Sequence, residues 1–144
     1  MTTDQTTLQL LDELTGRFFG LFSNKDGITP GIDDIDELFI PGAVIIKNTG
    51  TAPEIYTLEK FAAPRKKILT DGTLVDFSEE EISGRTEIFG NIAHRFCSYK
   101  KSGILSGQAF ETKGMKTIQF IKTPGGWKIS SLAWDDEREG LTIK

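Results

Sequence analysis

The last third of the chain reads as two long strands joined by a tight turn. Gly114 to Lys122 alternates as a strand does, Thr123-Pro124-Gly125-Gly126 carries turn chemistry, and Trp127 to Glu137 alternates again. Proline presets φ and glycine supplies φ > 0, so the quartet fixes a hairpin. Helical periodicity in the first half of the chain leads into this strand-rich second half. That order predicts an α+β fold: a strongly curved antiparallel sheet, covered on one side by N-terminal helices.

The helical stretches are marked by their apolar spacing. Leu8, Leu11, Leu14, Phe18 and Phe22 recur every three or four residues from Asp4 to Phe22, with Gln9, Asp12, Glu13 and Arg17 off that stripe. A short helix is expected over Ile32–Phe39, stopped by Pro41-Gly42, before the β-branched strand Ala43–Lys47. Thr57 can cap a further helix whose Leu58, Phe61 and Ile68 or Leu69 face inward. Pro64 is expected to kink or split that helix near Ala63. From Leu74 the period becomes two. Gly90-Asn91 and Lys100-Lys101-Ser102-Gly103 read as turns on either side of the strand that begins Ile92-Ala93-His94.

Composition narrows the class. With 144 residues the chain reads as one domain spanning 1–144, long enough for a sizeable core. Seventeen basic side chains against 21 acidic ones give a net charge of −4, which argues against a nucleic-acid surface. The basic run Arg65-Lys66-Lys67 and the acidic runs Glu79-Glu80-Glu81 and Asp135-Asp136-Glu137 read as solvated faces, the ordinary role of charge runs. The single cysteine, Cys97, permits no intramolecular disulfide, and the N-terminus lacks the features of a secretory signal. No apolar run reaches the roughly 20 residues of a membrane span. A cytoplasmic location is expected. One histidine and one cysteine cannot assemble a His-rich metal site, and no phosphate-cradling glycine motif is present. The expectation is no metal and no cofactor.

Helix, short helix, short strand, helix and a long meander, with Phe89-Gly90-Asn91-Ile92-Ala93-His94 … Tyr99 and Gly126-Trp127-Lys128-Ile129-Ser130-Ser131-Leu132, resembles the nuclear transport factor 2-like superfamily and its SnoaL-like branch. The resemblance covers essentially the whole chain. It implies a cystatin-like cone with an apolar pocket. Members include isomerases, cyclases, dehydratases, binding modules and transport factors, so fold does not fix function. Tested against ketosteroid isomerase, a cone of the same layout, the first-helix tyrosine falls on Phe18, the base aspartate at about Lys47 and the protonated aspartate on Gln119. All three are replaced. A lysine can still serve as a base where burial lowers its pKa, but the carboxylate that shuttles the proton is missing.

The same alignment points Thr117, Gln119 and Ile121 into the cone, with His94, Phe96 and Ser98 beside them and Leu132, Trp134 and Asp136 on the last strand. A one-residue slip would flip each set. In this reading a small hydrophobic carbonyl-type ligand sits among Phe18, Lys47, Phe61, Phe96, Ser98, Thr117, Leu132 and Trp134. His94 carries the proton, Gln119 stabilises the oxygen, and Asp136 assists. His94 has an equally simple reading as a structural histidine. Trp127, seven residues from Trp134, is expected on the opposite face. The rival reading is a non-enzymatic ligand-binding or protein-interaction module. In either case a homodimer is expected through the outer sheet face, carrying Cys97, Tyr99, Phe120 and Trp127.

Overall fold

The computed structural model describes residues 2–143; Met1 and Lys144, the ends of the domain read from the sequence, lie outside the described residues. Helix α1 (Thr3–Gly20) starts at a capping box, in which the Thr2 hydroxyl accepts from the Gln5 amide and the Gln5 side chain accepts from the Thr2 amide. Leu11, Leu14 and Phe18 of the expected stripe are buried and Phe19 joins them, whereas Leu8, expected on the same stripe, is 39% exposed near the start of the helix. A 3₁₀ turn at Ile32–Asp34 runs into the one-turn α2 (Ile35–Leu38). Strand β1 (Phe39–Lys47) begins earlier than the sequence suggests, because Pro41-Gly42 falls at a register shift within the strand instead of before it. A short β2 (Glu54–Tyr56), which the sequence did not signal, hairpins back on β1.

Helix α3 (Leu58–Thr70) is capped by Thr57 as expected, and it runs through Pro64 unbroken. Ala63 and Pro64 lie on its exposed side, where water can satisfy the carbonyl that proline leaves without a donor. The remaining strands are β3 (Leu74–Phe89), β4 (Ile92–Leu105), β5 (Gln108–Thr123) and β6 (Gly126–Asp136). Lys100–Gly103 is strand, not turn. The chain reverses instead at Ser106-Gly107, whose φ values of 50° and 83° suit a two-residue hairpin turn.

The sheet order is β2-β1-β6-β5-β4-β3. Every pairing is antiparallel except β1 with β6, which is parallel, so the sheet is mixed. It curves around the helices without closing, which is the α+β cone expected from the resemblance. Three register shifts help it curve: Val75/Ser78, Glu81/Ser83 and Gln119/Phe120.

The last of these decides which side chains are inside. Past it, Gln119 pairs with Ser131 while Phe120 pairs with Ile129, so Ser130 is the extra residue. With Trp134 buried, a hairpin free of bulges would turn Thr117 and Gln119 inward. The extra residue turns Gly114, Lys116, Ile118 and Phe120 inward instead, and through the β4–β5 register Ala93, Arg95, Cys97 and Tyr99. The bulge also carries Trp127 to the same side as Trp134, where it packs against the core.

Two polar hubs tie the layers together. Asn24, 8% exposed, donates through Nδ2 to the carbonyls of Leu69 and Leu74 at 2.9 and 2.7 Å and accepts the Phe77 amide at 2.8 Å. It thereby joins the end of α1, the end of α3 and the start of β3. The Arg95 guanidinium makes two 2.7 Å bonds to Glu81 and contacts Asp12 at 2.8 Å and Thr86 at 2.6 Å. That set fastens α1 to the sheet.

The centre of the meander depends on one missing side chain. A Cβ on Gly114 would sit 2.3 Å from both the Tyr99 hydroxyl and the Asp135 carbonyl. Tyr99 is fully buried, and its hydroxyl donates to the Asp135 carbonyl at 3.2 Å and contacts the Asp136 carboxylate. Gly114→Ala therefore overpacks the core and is expected to lower stability by about 1–3 kcal/mol. Gly20→Ala, with open space around it, should stay within about 0.5 kcal/mol. Urea denaturation of the two variants against the parent checks this.

Candidate functional site

A cavity of about 270 Å³ opens between the helices and the inner sheet face. Its walls are aromatic and aliphatic: Phe18 from α1, Phe22 from the turn after it, Phe61 from α3, Phe77 and Phe110 from β3 and β5, and Trp134 from β6. The rings meet edge to face, Phe18–Phe22 at 5.4 Å, Phe22–Phe61 at 5.9 Å and Phe61–Trp134 at 6.0 Å. Such contacts hold the wall rigid.

Into these walls the chain sets Lys116. Its side chain is 4% exposed, and its ammonium lies 4.2 Å from the Tyr99 ring centre and 4.6 Å from that of Trp134. Its one acidic partner is Glu79, 7% exposed, at 3.1 Å. That contact is an ion pair off the hydrogen-bond line, and Glu79 Oε2 has no hydrogen-bond donor among the described residues. The Trp134 indole N–H is likewise buried without an acceptor. Burial pushes the Lys116 pKa below its ordinary value; Glu79 pulls it back up, but less strongly, and Lys101 adds to the depression. The cavity wall thus holds an amine whose pKa burial lowers, and a carboxylate oxygen and an indole N–H without hydrogen-bond partners among the described residues.

Three further cations line the cavity, Lys47, Arg65 and Lys101. The Lys101 ammonium is 3.4 Å from the Asp136 carboxylate. Arg65 stacks its guanidinium 3.9 Å above the Phe61 ring and donates to the Phe61 carbonyl at 3.1 Å.

Of the residues singled out from sequence, Phe18, Lys47, Phe61 and Trp134 line this cavity. Leu132, 2% exposed, belongs to the core and not to the lining. Asp136, expected to face the ligand, does not line this cavity: its carboxylate contacts the Tyr99 hydroxyl and Lys101, and the residue lines the groove beside the C-terminal segment. The inward direction expected for His94, Phe96, Ser98, Thr117 and Gln119 is corrected: all five are on the outer side of the sheet, because of the Ser130 bulge. His94 and Gln119 are direct cross-strand partners there, and the His94 ring contacts Glu87 at 2.8 Å. Phe96 and Thr117 line an open outer groove with Met115 and Ala133 under the C-terminal segment. Ser98 is hidden against Ser83, hydroxyl to hydroxyl at 3.0 Å.

The charge runs also need correcting. In Glu79-Glu80-Glu81 only Glu80 is solvated; the alternation turns Glu79 to Lys116 and Glu81 to Arg95. In Arg65-Lys66-Lys67 only Arg65 turns into the cavity. Lys116 was missed with the β5 phase. Its one signal in the sequence is a lone charge in the alternating series Gly114, Lys116, Ile118, Phe120. Cys97 is fully buried, its thiol pKa pushed up to about 12 by desolvation, which makes it a poor nucleophile.

No family profile matches the sequence, and no curated protein does. Solved structures do. A nuclear transport factor 2-like protein from Salmonella enterica serovar Typhimurium superposes with a TM-score of 0.78 at 17% identity, covering 99% of each chain. A Streptomyces avermitilis protein of that family, provisionally described as a dehydratase, gives 0.72 at 14% identity over 94% of this chain and 99% of its own. An Exiguobacterium sibiricum protein, provisionally described as a calcium/calmodulin-dependent kinase II association domain, gives 0.70 at 10% identity over 96% of each chain.

A lysine whose pKa is lowered by folding makes stability depend on pH in a definite direction. Below the folded value both states hold the proton, and the fold carries the full cost of the buried charge. Between that value and the unfolded one near 10.4, the unfolded chain holds a proton the folded chain has released, so stability rises with pH. The variant Glu79→Gln/Lys116→Met lacks that rise. Across pH of about 6.5, 8 and 9.5 the parent's urea midpoint should therefore rise relative to the variant's. The superpositions rest on whole-length likeness of architecture, and on that likeness the chain has the nuclear transport factor 2-like fold.

Proposed function

We propose that this chain is a small-molecule pocket protein, whose inner cavity takes a small hydrophobic guest bearing a carbonyl-type oxygen. The observation that carries this reading is the buried Lys116–Glu79 pair facing an aromatic-walled cavity. A site of about 270 Å³ lies near the lower end of ordinary ligand pockets, about 300–1,000 Å³, and suits a guest of about one ring. The free indole N–H of Trp134 supports the same reading, since a buried donor without an acceptor is costly until something fills the place.

The chemistry available is cofactor-free proton transfer. In its unprotonated form, which burial favours, Lys116 can take a proton from carbon beside the carbonyl, and the charge that develops on oxygen is met by Trp134 Nε1–H. Glu79 stabilises the lysinium formed. This replaces His94 and Gln119 in the roles of proton carrier and oxygen-stabilising donor expected from the sequence. The dehydratase description of the Streptomyces avermitilis neighbour is in keeping with such a site.

Titration with acetophenone, read by Trp134 fluorescence in a Trp127→Phe background, tests the pocket. Saturable quenching is expected. Trp134→Ala, followed by calorimetry, should weaken binding about ten-fold or more, the loss of a main aromatic wall. His94→Gln should leave affinity and its pH profile unchanged. Equal binding by parent, Trp134→Ala and Lys116→Met would place the guest elsewhere and defeat the proposal.

We also propose a homodimer through the outer sheet face, with corrected residues. Cys97, Tyr99 and Phe120 are in the core and cannot contribute. The exposed apolar residues there include Phe89 at 83% on β3, its cross-strand partner Ile92 at 59% and Phe96 at 56% on β4, and Val44 at 38% on β1. The description of the Exiguobacterium sibiricum neighbour as an association domain favours self-association of this fold. Sedimentation should give a dimer at tens of micromolar, and Phe96→Glu a monomer with unchanged acetophenone binding. A parent monomer at that concentration would count against it.

A further inference from the structure

We infer that the guest of the inner cavity is an anion, an apolar monocarboxylate whose carboxylate is held by Arg65 and Lys47. This deepens the pocket reading above and rests on it.

The argument begins with a count of charge around one space. Four cationic side chains line the cavity, Lys47, Arg65, Lys101 and Lys116, and one carboxylate, Glu79. Lys116 is matched by Glu79, and Lys101 by Asp136, which lies outside the lining. Lys47 and Arg65 form no ion pair among the described residues, although both are half-buried. Burial holds the Arg65 pKa below its ordinary value; Tyr56 and the more distant carboxylates of Glu54 and Glu79 offset that only in part, so the buried guanidinium keeps an unbalanced cost that a bound anion would relieve.

The placement of Arg65 suits recognition. Its guanidinium lies flat above Phe61, with Tyr56 at 5.4 Å and Trp134 at 5.8 Å from their ring centres. The ring contacts and the bond to the Phe61 carbonyl fix the plane of the fork while leaving other N–H groups free. A planar, oriented fork matches the two oxygens of a carboxylate. Lys47 reaches the cavity from a different element, the end of β1, opposite Trp134 in the parallel ladder. Between the cations the walls are hydrocarbon, so the rest of the guest is apolar. The mixed lining thus selects for a single negative group on a ring or a branched chain. A polyanion has too few partners here, and a neutral guest leaves both cations unpaired.

The test compares phenylacetate with phenylacetamide, which match in shape and differ in charge. Each is titrated into the full-length protein in a low-chloride buffer and read by Trp134 fluorescence in a Trp127→Phe background. Phenylacetate is expected to bind about ten-fold or more tightly than the amide, a preference that shrinks as salt is added. Arg65→Gln and Lys47→Gln should each weaken the acid and leave the amide unaffected, while Arg65→Lys keeps part of the preference. Circular dichroism establishes that the variants are folded, and the parent comparison needs no variant at all. Equal affinity for acid and amide in the parent would overturn the inference and leave the pocket standing. So would a preference that survives Arg65→Gln/Lys47→Gln. Binding of neither compound, with acetophenone also excluded, would overturn both.

Discussion

The ammonium of Lys116 sets the terms for the inner half of this molecule. Taking an ion of that size out of water costs several kcal/mol even after the protein relaxes. What offsets it is assembled from four elements: Glu79 on β3, Tyr99 on β4, Trp134 on β6 and the rings of Phe18 and Phe19 on α1, 5.9 and 5.8 Å away. Each cation–π contact is worth about 2 kcal/mol when desolvated. None of these partners is close in sequence to Lys116, so the charge is tolerable only when the whole cone is formed. Two polar groups beside it, Glu79 Oε2 and Trp134 Nε1, are left without hydrogen bonds. A sequence selected for stability alone would put a leucine at 116. A lysine held this way is a reason to look for a ligand there.

The second buried charge contrasts with the first. Arg95 spends nearly all its donors on Glu81, Asp12 and Thr86, with distances of 2.6–2.8 Å. It is saturated and linked to the helix it must hold, so it reads as structural. Lys116 has one off-line carboxylate and rings. Both pairs come from the same acidic triplet, in which the alternation of β3 sends Glu79 to Lys116 and Glu81 to Arg95. One strand therefore supplies the counter-ion for the scaffold and the counter-ion for the site, two residues apart.

Much of the architecture was legible because it is written in local signals. The α1 stripe, the Thr57 cap and the Pro124-Gly125 hairpin each depend on a few neighbouring residues, and their order sufficed for the cone. Trp134, Phe18, Phe61 and Lys47 were legible as cavity residues because their phase or alignment does not cross the bulge. Lys116, Glu79 and Arg65 were not. Charge in a run is ordinarily wet, and nothing within the runs distinguishes Arg65 from Lys66 or Glu79 from Glu80. β2 and the parallel β1–β6 ladder are tertiary facts with no local signature.

The misplaced residues trace to one cause. Ser130 adds a residue to β6 opposite the Gln119–Phe120 step of β5. A bulge displaces every side chain beyond it by one position relative to the partner strand, and a displacement of one in a period of two is an inversion. Counting back from a correctly placed Trp134 through a bulge-free hairpin turns Gln119 inward, and with it His94, its partner on β4. The same bulge adds local twist where the sheet must bend around α1. The inversion and the cavity therefore share an origin: an unbulged β5–β6 pair would be flatter, would bury Thr117 and Gln119, and would leave Lys116 in water on the outside. A charged residue at 116 is harmless on an outer face. It becomes chemically significant only because of an inconspicuous serine 14 residues later, in a pair whose backbone geometry the composition of neither strand reveals.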